Sequence, residues 1–467
     1  MPNQLEWHLV AGERNPFEPE GRRLRITVHC PEEDRLNETD RRNLALLREL
    51  ANVDKIRIVE TKPGARWSLA LNTTPNEHGV GVAAFVGPDG SVRCWHAFRP
   101  RDWEDEAIRF RRIGSKSDPE IVALGRHLMF VEAHEQCMRD VFATTLPELL
   151  SRREHRQRAN IRSLSETLEI LGLWLRRDGE IPIKARPHNH STVQHNLGLD
   201  LFRWVATRDR LPGMWRYFSA CIRRGSEAKD KMEYLGNTIL DRCERVMQAV
   251  DEVGWQFHRR QSNTTRQTML YHFDYLALLL SGALDAEAQV CRTAYGLTVP
   301  PSRTHFRYEP FRKQLRAAGG TRLADLLVSD GYRDFQQFLG ALRNSIHGTG
   351  IRGMGYVKGG EPERSLVQIF DNDQVIWEAS GKLGRDIVGV AGVAGGVAIE
   401  PYTCASWLAR SGFYWVNRIG ELTEVERLVS GDTKLMNGPP NGRFWDPDTR
   451  RRVSALTWGV SGTSSEC

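Results

Sequence analysis

Residues 264–296, TTRQTMLYHFDYLALLLSGALDAEAQVCRTAYG, restrict the fold of this chain more than any other stretch. Helical spacing runs through the whole segment, and its middle is apolar nearly all the way round. A helix of that kind has no face to offer to water. It has to be enclosed by other helices, so the C-terminal part of the chain is expected to be a bundle. The nearly unbroken apolar run at 275–284 is too short for a bilayer, which needs roughly 20 residues, so no membrane span is expected.

The rest of the chain sorts around that helix. At 467 residues, a soft expectation is roughly three domains of about 150 each. Residues 1–118 read as a small α/β unit suited to sensing or regulation. In it RLRITVHC (23–30), KIRIVE (55–60) and RWSLALN (66–72) are strand-like. Between the first two, 37–53 carries Leu44, Leu47 and Leu50 at helical spacing, with Asn37 or Thr39 as cap. Residues 81–98 are two β-rich runs around Pro-Asp-Gly, a hairpin signal. No glycine-rich phosphate loop follows any of these strands, which excludes a nucleotide-binding Rossmann unit.

Residues 119–260 form a helical region, broken by a loop at 178–191. Its longest helix, 226–260, keeps an apolar stripe through Met232, Leu235, Ile239, Cys243, Val246, Val250 and Val253. Residues 261–432 make the bundle, with a small β-hairpin inserted at 364–380 and a closing amphipathic helix at 401–428. Residues 433–467 read as a loosely ordered tail. The expected fold class is therefore multidomain and mainly α.

Sixty-five Lys and Arg against fifty-nine Asp and Glu give a net charge of +6, and most of the positive charge is arginine. Arginine suits phosphate because its planar fork donates two hydrogen bonds at once. Two clusters stand out as nucleic-acid contacts: Arg109, Arg111 and Arg112, and then Arg152, Arg153, Arg156 and Arg158. The plainer reading of each is a solvated helix face or a linker, with a phosphate-tracking surface as the alternative.

Eight scattered cysteines contain no Cys-x-x-Cys pair, which argues against a zinc ribbon or a redox motif. His188, His190 and His195 share one segment but lack helical ligand spacing and a nearby carboxylate, so no metal site and no cofactor is expected. The start of the chain lacks a charged-then-apolar plan, and a cytoplasmic location is expected.

The candidate site lies in YRDFQQFLGALRNSIHG (332–348). Turning about 100° per residue, Phe335, Phe338, Leu339, Leu342 and Ile346 form a core stripe, while Gln336, Gly340, Arg343 and His347 fall on a strip beside it. Arg343 and His347 then point the same way at the border of core and solvent. There a histidine can titrate near neutrality and an arginine can meet phosphate with little competing water. The spacing alone is unspecific, since Arg25/His29 and Arg186/His190 repeat it. The bland alternative is that His347 favours the helix C-terminus, with Gly348 as the stop.

The long hydrophobic helix, a linker with two short helices, a helix ending LRNSIHG and a closing helix together resemble the HEPN superfamily of helical bundles. The resemblance covers roughly 264–430. That family's motif is an Arg, usually followed by a polar residue, with a His at the end of the same helix. Here Arg343, Asn344 and His347 match it, with three residues between Arg and His where four to six are usual.

The resemblance implies a metal-independent endoribonuclease that leaves a 2′,3′-cyclic phosphate. In it His347 would move protons, Arg343 would stabilise the phosphate charge and Asn344 would orient groups in the site. It also implies a homodimer with RNA as substrate, and an effector role in stress or phage defence. The other readings are a non-catalytic HEPN-like dimerisation protein and a nucleic-acid-binding regulator that uses the arginine clusters.

Overall fold

The first strand, β1 (Leu24–His29), is buried on both faces and flanked on both sides by parallel neighbours. That explains its composition: a central parallel strand has no solvent face, so β-branched and apolar residues run on without strict alternation. A computed structural model of the chain describes residues 23–62, 65, 68–72, 81–86, 89–98, 119–136, 140–151, 160–179, 181–188, 191–259, 261–348, 350–356, 364–393, 396–431, 434–439 and 446–458. The chain divides into two compact units. One runs up to Leu175 and takes back a short segment from Ala455. The other spans Arg176–Ser454.

In the first unit β1 leads into α1 (Glu38–Leu50). The Asn37 side chain caps α1 by accepting from the Asp40 N–H at 2.8 Å, and α1 buries Leu44, Leu47 and Leu50. Next come β2 (Ile56–Glu60), β3 (Ser68–Asn72), and the expected hairpin, β4 (Gly81–Val86) with β5 (Val92–Phe98). After α2 (Pro119–Gln136) come β6 (Val141–Thr144), β7 (Ile161–Arg162) and α3 (Leu164–Asp178).

The sheet order is β5-β4-β3-β2-β1-β6-β7. Register pairs Ile26 with Ile58 on one side and with Val141 on the other. The sheet thus continues past residue 118, where the sequence reading ended the α/β unit. Four-residue β6 is wholly buried, and such a short apolar run cannot be told from a helix segment by period alone. On α3, Gly172 lets the backbone of Leu456 lie against it.

The second unit opens with an antiparallel hairpin, β8 (Ile181–His188) and β9 (Ser191–Leu197). This corrects the loop expected at 178–191. Pro182 and Pro187 argue against a central strand, but a two-stranded ribbon tolerates proline. Helices α4 (Leu199–Arg210), α5 (Met214–Ala228), α6 (Met232–Phe257) and α7 (Asn263–Ala294) follow.

Ser262 and Thr265 form a reciprocal capping box at the start of α7. The helix packs along α6 and against later helices, with Phe273, Leu276, Leu280, Ala283 and Leu284 sealed from water. Truncating one such leucine to alanine costs about 2–5 kcal/mol. Inside the same unit Asp251 of α6 receives Arg176 Nε at 2.9 Å and Arg203 Nη2 at 3.3 Å in a buried ionic cluster.

Beyond α7 lie α8 (Glu309–Ala317), α9 (Thr321–Leu326) and α10 (Asp330–His347). Then come β10 (Arg352–Tyr356), β11 (Arg364–Ile369), α11 (Asp373–Leu383), β12 (Val390–Val393), β13 (Gly396–Ile399), α12 (Pro401–Leu422) and α13 (Pro447–Trp458).

The hairpin expected at 364–380 is corrected. Only its first half is a strand, because the Asn-Asp turn, with Asn372 at φ +60°, caps helix α11 instead of reversing into a second strand. The insertion is a four-stranded antiparallel sheet, β10-β11-β13-β12. The loosely ordered tail is also corrected in part, since α13 occupies Pro447–Trp458. Among the described residues no helix is long and apolar enough to cross a membrane.

Candidate functional site

Helix α10 buries the expected stripe, with Phe335, Phe338, Leu339 and Leu342 at 2% exposure or less. It ends at His347, where the Gly348 N–H donates to the Asn344 carbonyl at 2.9 Å. Ser345, buried one position past Asn344, fixes this end. Its Oγ lies 2.7 Å from the Asp371 carbonyl and 2.9 Å from the Ala341 carbonyl, and accepts from Asn372 Nδ2 at 3.2 Å.

Gln336, Gly340 and Arg343 stand at i, i+4 and i+7 and line one wall of a small pocket. Ser281 and Asp285 of α7, one turn apart, form the facing wall. His305, Phe306 and Arg307, from the segment before α8, close the third side. Glycine at 340 leaves room for this arrangement, since a Cβ there would meet a terminal nitrogen of the Arg307 guanidinium, which would have to shift. A larger groove of about 890 Å³ adjoins the pocket. It shares Arg307, Gln336 and Gly340 with it, and adds Arg312, Arg333, Asn344 and Asn372.

The polar atoms around the smaller pocket are under-satisfied. Ser281 Oγ, His305 Nδ1 and Gln336 Nε2 are each shut off from solvent without a hydrogen-bond partner. Among the described residues neither Arg343 nor Arg307 has an ion pair, and Asp285 comes within ion-pair distance of neither. Arg312 is committed elsewhere, donating to the carbonyls of Phe306 at 3.2 Å and Arg307 at 3.1 Å. Burial first, then Arg307, push the His305 imidazole below its ordinary pKa of 6.5; Asp285 opposes this, and Arg343 and Arg312 add smaller pushes in the same direction as Arg307. The pocket therefore offers two free guanidinium groups, a neutral imidazole and orphaned polar atoms, an arrangement fit for an anion.

The predicted strip is thus brought together in part. Gln336, Gly340 and Arg343 share the pocket, and Asn344 lines the adjoining groove. His347 is exposed at the helix end and lines neither. Sequence reasoning missed His305 and Arg307, which lie in the linker ahead of the two short helices. THFRYEPFR carried a usable signal, basic residues interleaved with aromatic ones.

The other Arg-x-x-x-His pair on described residues is structural. Arg25 Nε lies 3.5 Å from the Asp140 carboxylate. Buried His29 is hydrogen-bonded to Thr61 Oγ1 at 2.7 Å and to His127 Nδ1 at 2.9 Å, and burial depresses its pKa to about 3. Arg109, Arg111, Arg112, Arg152, Arg153, Arg156 and Arg158 lie outside the described residues, as do the side chains of His188, His190 and His195. Among the described residues no cluster of three or more His, Cys, Asp or Glu side chains could hold a metal ion. Compared with protein-family models, curated proteins and solved structures, the chain gives no significant match.

Proposed function

We propose that the helical unit carries a HEPN-like, metal-independent endoribonuclease site centred on Arg343. The observation that carries the reading is the unpaired Arg343 guanidinium, half-buried beside a second unpaired arginine. Two neighbouring guanidinium groups, with Asp285 in the pocket wall but in ion-pair contact with neither, favour an external anion between them. RNA supplies one at every linkage.

In this reading Arg343 binds the non-bridging oxygens of the scissile phosphate and stabilises the charge that builds on them. The 2′-oxygen attacks phosphorus while a base takes its proton, and the P–O5′ bond breaks as an acid returns a proton to the 5′-oxygen. The products are a 2′,3′-cyclic phosphate and a 5′-hydroxyl. His347 is the proton-transfer residue on the Arg343 helix, exposed so that RNA or a second copy of the chain can cover it. Asn344 contacts the strand from the adjoining groove. The wider proposal is a cytoplasmic homodimer acting in stress response or phage defence, with the clusters at 109–112 and 152–158 tracking RNA backbone.

A second reading is a non-catalytic HEPN-like interaction protein. The observation favouring it is that His347 lines neither cavity. The two separate cleanly when the full chain is incubated with mixed RNA in EDTA beside Arg343→Ala and His347→Ala. Cleavage by the wild type that is lost in both variants supports the nuclease. Intact RNA at every pH tested, with dimers still present, supports the interaction protein.

A further inference from the structure

We infer that the pocket between α7, α10 and the 304–308 segment is a built binding site for one tetrahedral oxyanion, the phosphate group of a nucleotide linkage or end, held by Arg343, Arg307, His305 and Gln336. This deepens the reading above by naming the group held and adding residues outside the Arg343 helix, yet its test needs no cleavage.

Three independent observations converge on the pocket. The first is charge: Arg307 and Arg343 line it without an ion pair among the described residues, and Asp285 is the acidic side chain in its wall. The second is polar dissatisfaction. Gln336 is 9% exposed, and its Nε2 donor, His305 Nδ1 and Ser281 Oγ are all buried without partners. Water can satisfy neutral donors in a small polar cavity, whereas an anion satisfies them and also pairs with half-buried Arg343 and exposed Arg307 together. The third is shape: the Arg307 guanidinium lies against Gly340 of α10, in space that a Cβ would take. A phosphate group offers several acceptor oxygens, matching forked arginine donors, an amide N–H and, once protonated, an imidazole N–H.

His305 makes the site pH-sensitive. The groups that face it are Arg307, Arg343 and Arg312, which disfavour its proton, Asp285, which favours it, and the Tyr308 ring at 5.6 Å. In the empty pocket the ring is neutral at pH 7. An anion beside it favours the imidazolium, so binding takes up a proton and tightens as pH falls.

The test is calorimetric titration of the full chain with sulfate, whose charge is constant across the range, at pH 8 and pH 6. Saturable binding is expected, tighter at pH 6 than at pH 8. Arg307→Ala and Arg343→Ala should each weaken it at least about tenfold. His305→Ala should flatten the pH dependence. Gly340→Ala should weaken binding while leaving the melting temperature unchanged or higher, because alanine is the better helix former and only a flexible side-chain tip must move. Displacement of sulfate by a 2′-deoxy dinucleotide diester assigns the site to the nucleic-acid backbone. Displacement by a nucleoside 3′-monophosphate alone assigns it to a terminal phosphate.

No saturable sulfate binding at pH 6, or binding equal in Arg307→Ala and Gly340→Ala, overturns the inference. Sulfate binding by a chain that never cuts RNA keeps the site and removes the nuclease reading. Cleavage without sulfate binding does the reverse.

Discussion

Arg343 is half-buried, cationic and unpaired among the described residues, a combination with an energetic cost and so a use. Arg343→Ala should lower metal-free RNA cleavage by about 10²–10³, the loss typical of removing one charge-stabilising donor. Because no native ion pair is lost, its melting temperature should match or exceed that of the wild type, as calorimetry would show. Glu287 is the opposite case. Its carboxyl is fully buried on α7 with neither oxygen hydrogen-bonded, and burial pushes its pKa well above the ordinary carboxylate value. A folded pKa above the unfolded one means that this group's stability is fully present below the ordinary carboxyl range and is lost as pH rises. Glu287→Gln should therefore gain on the wild type between pH 5 and 8, by up to about 1.4 kcal/mol per pH unit, in urea titrations across that range. A stability difference independent of pH would show that Glu287 is ionised in the fold.

Elements in this chain are joined by a few specific contacts that a residue pattern does not display. The Asp251 cluster links Arg176 and Arg203 at 3–9% side-chain exposure, so Asp251→Ala leaves two buried cations and should cost about 3–5 kcal/mol in denaturant unfolding, whereas loss of an exposed pair such as Lys313–Glu309 should leave the unfolding midpoint unchanged. Ser345 holds the end of α10 to the turn before α11, and Ser345→Ala should lower stability by about 1–2 kcal/mol and weaken hydrogen-exchange protection at Asp371–Asp373. Helices were legible because thirty-odd residues of 3.6-residue period leave little choice, as in α7. Strands β6, β8 and β9 were not. The first is four buried residues between helical patterns; β8 contains Pro182 and Pro187, which read as loop signals, and β9 has β8 as its strand partner. At Asn372 the turn was legible, but whether the chain left it as strand or helix depended on packing against α10.

For the whole molecule, the candidate site was legible only along one helix. Periodicity placed Gln336, Gly340 and Arg343 on a common strip, since all three lie on α10. It could not place His305 and Arg307 opposite them, because that depends on how the 304–308 segment returns across α7 and α10. Nor could it show His347 leaving the strip, because a helix end is free to turn its last side chain to solvent. If the pocket and its adjoining groove track RNA, affinity should fall with salt. The log–log slope should be at least about −1.4 for two phosphate contacts, and shallower by about 0.7 in Arg307→Ala. The most direct test of the central claim is end-group determination on RNA incubated with the full chain in EDTA, beside Arg343→Ala. Fragments ending in 2′,3′-cyclic phosphate with the wild type, and none with the variant, are the predicted result. Uncut RNA with the wild type, or equal cutting by both proteins, would contradict it.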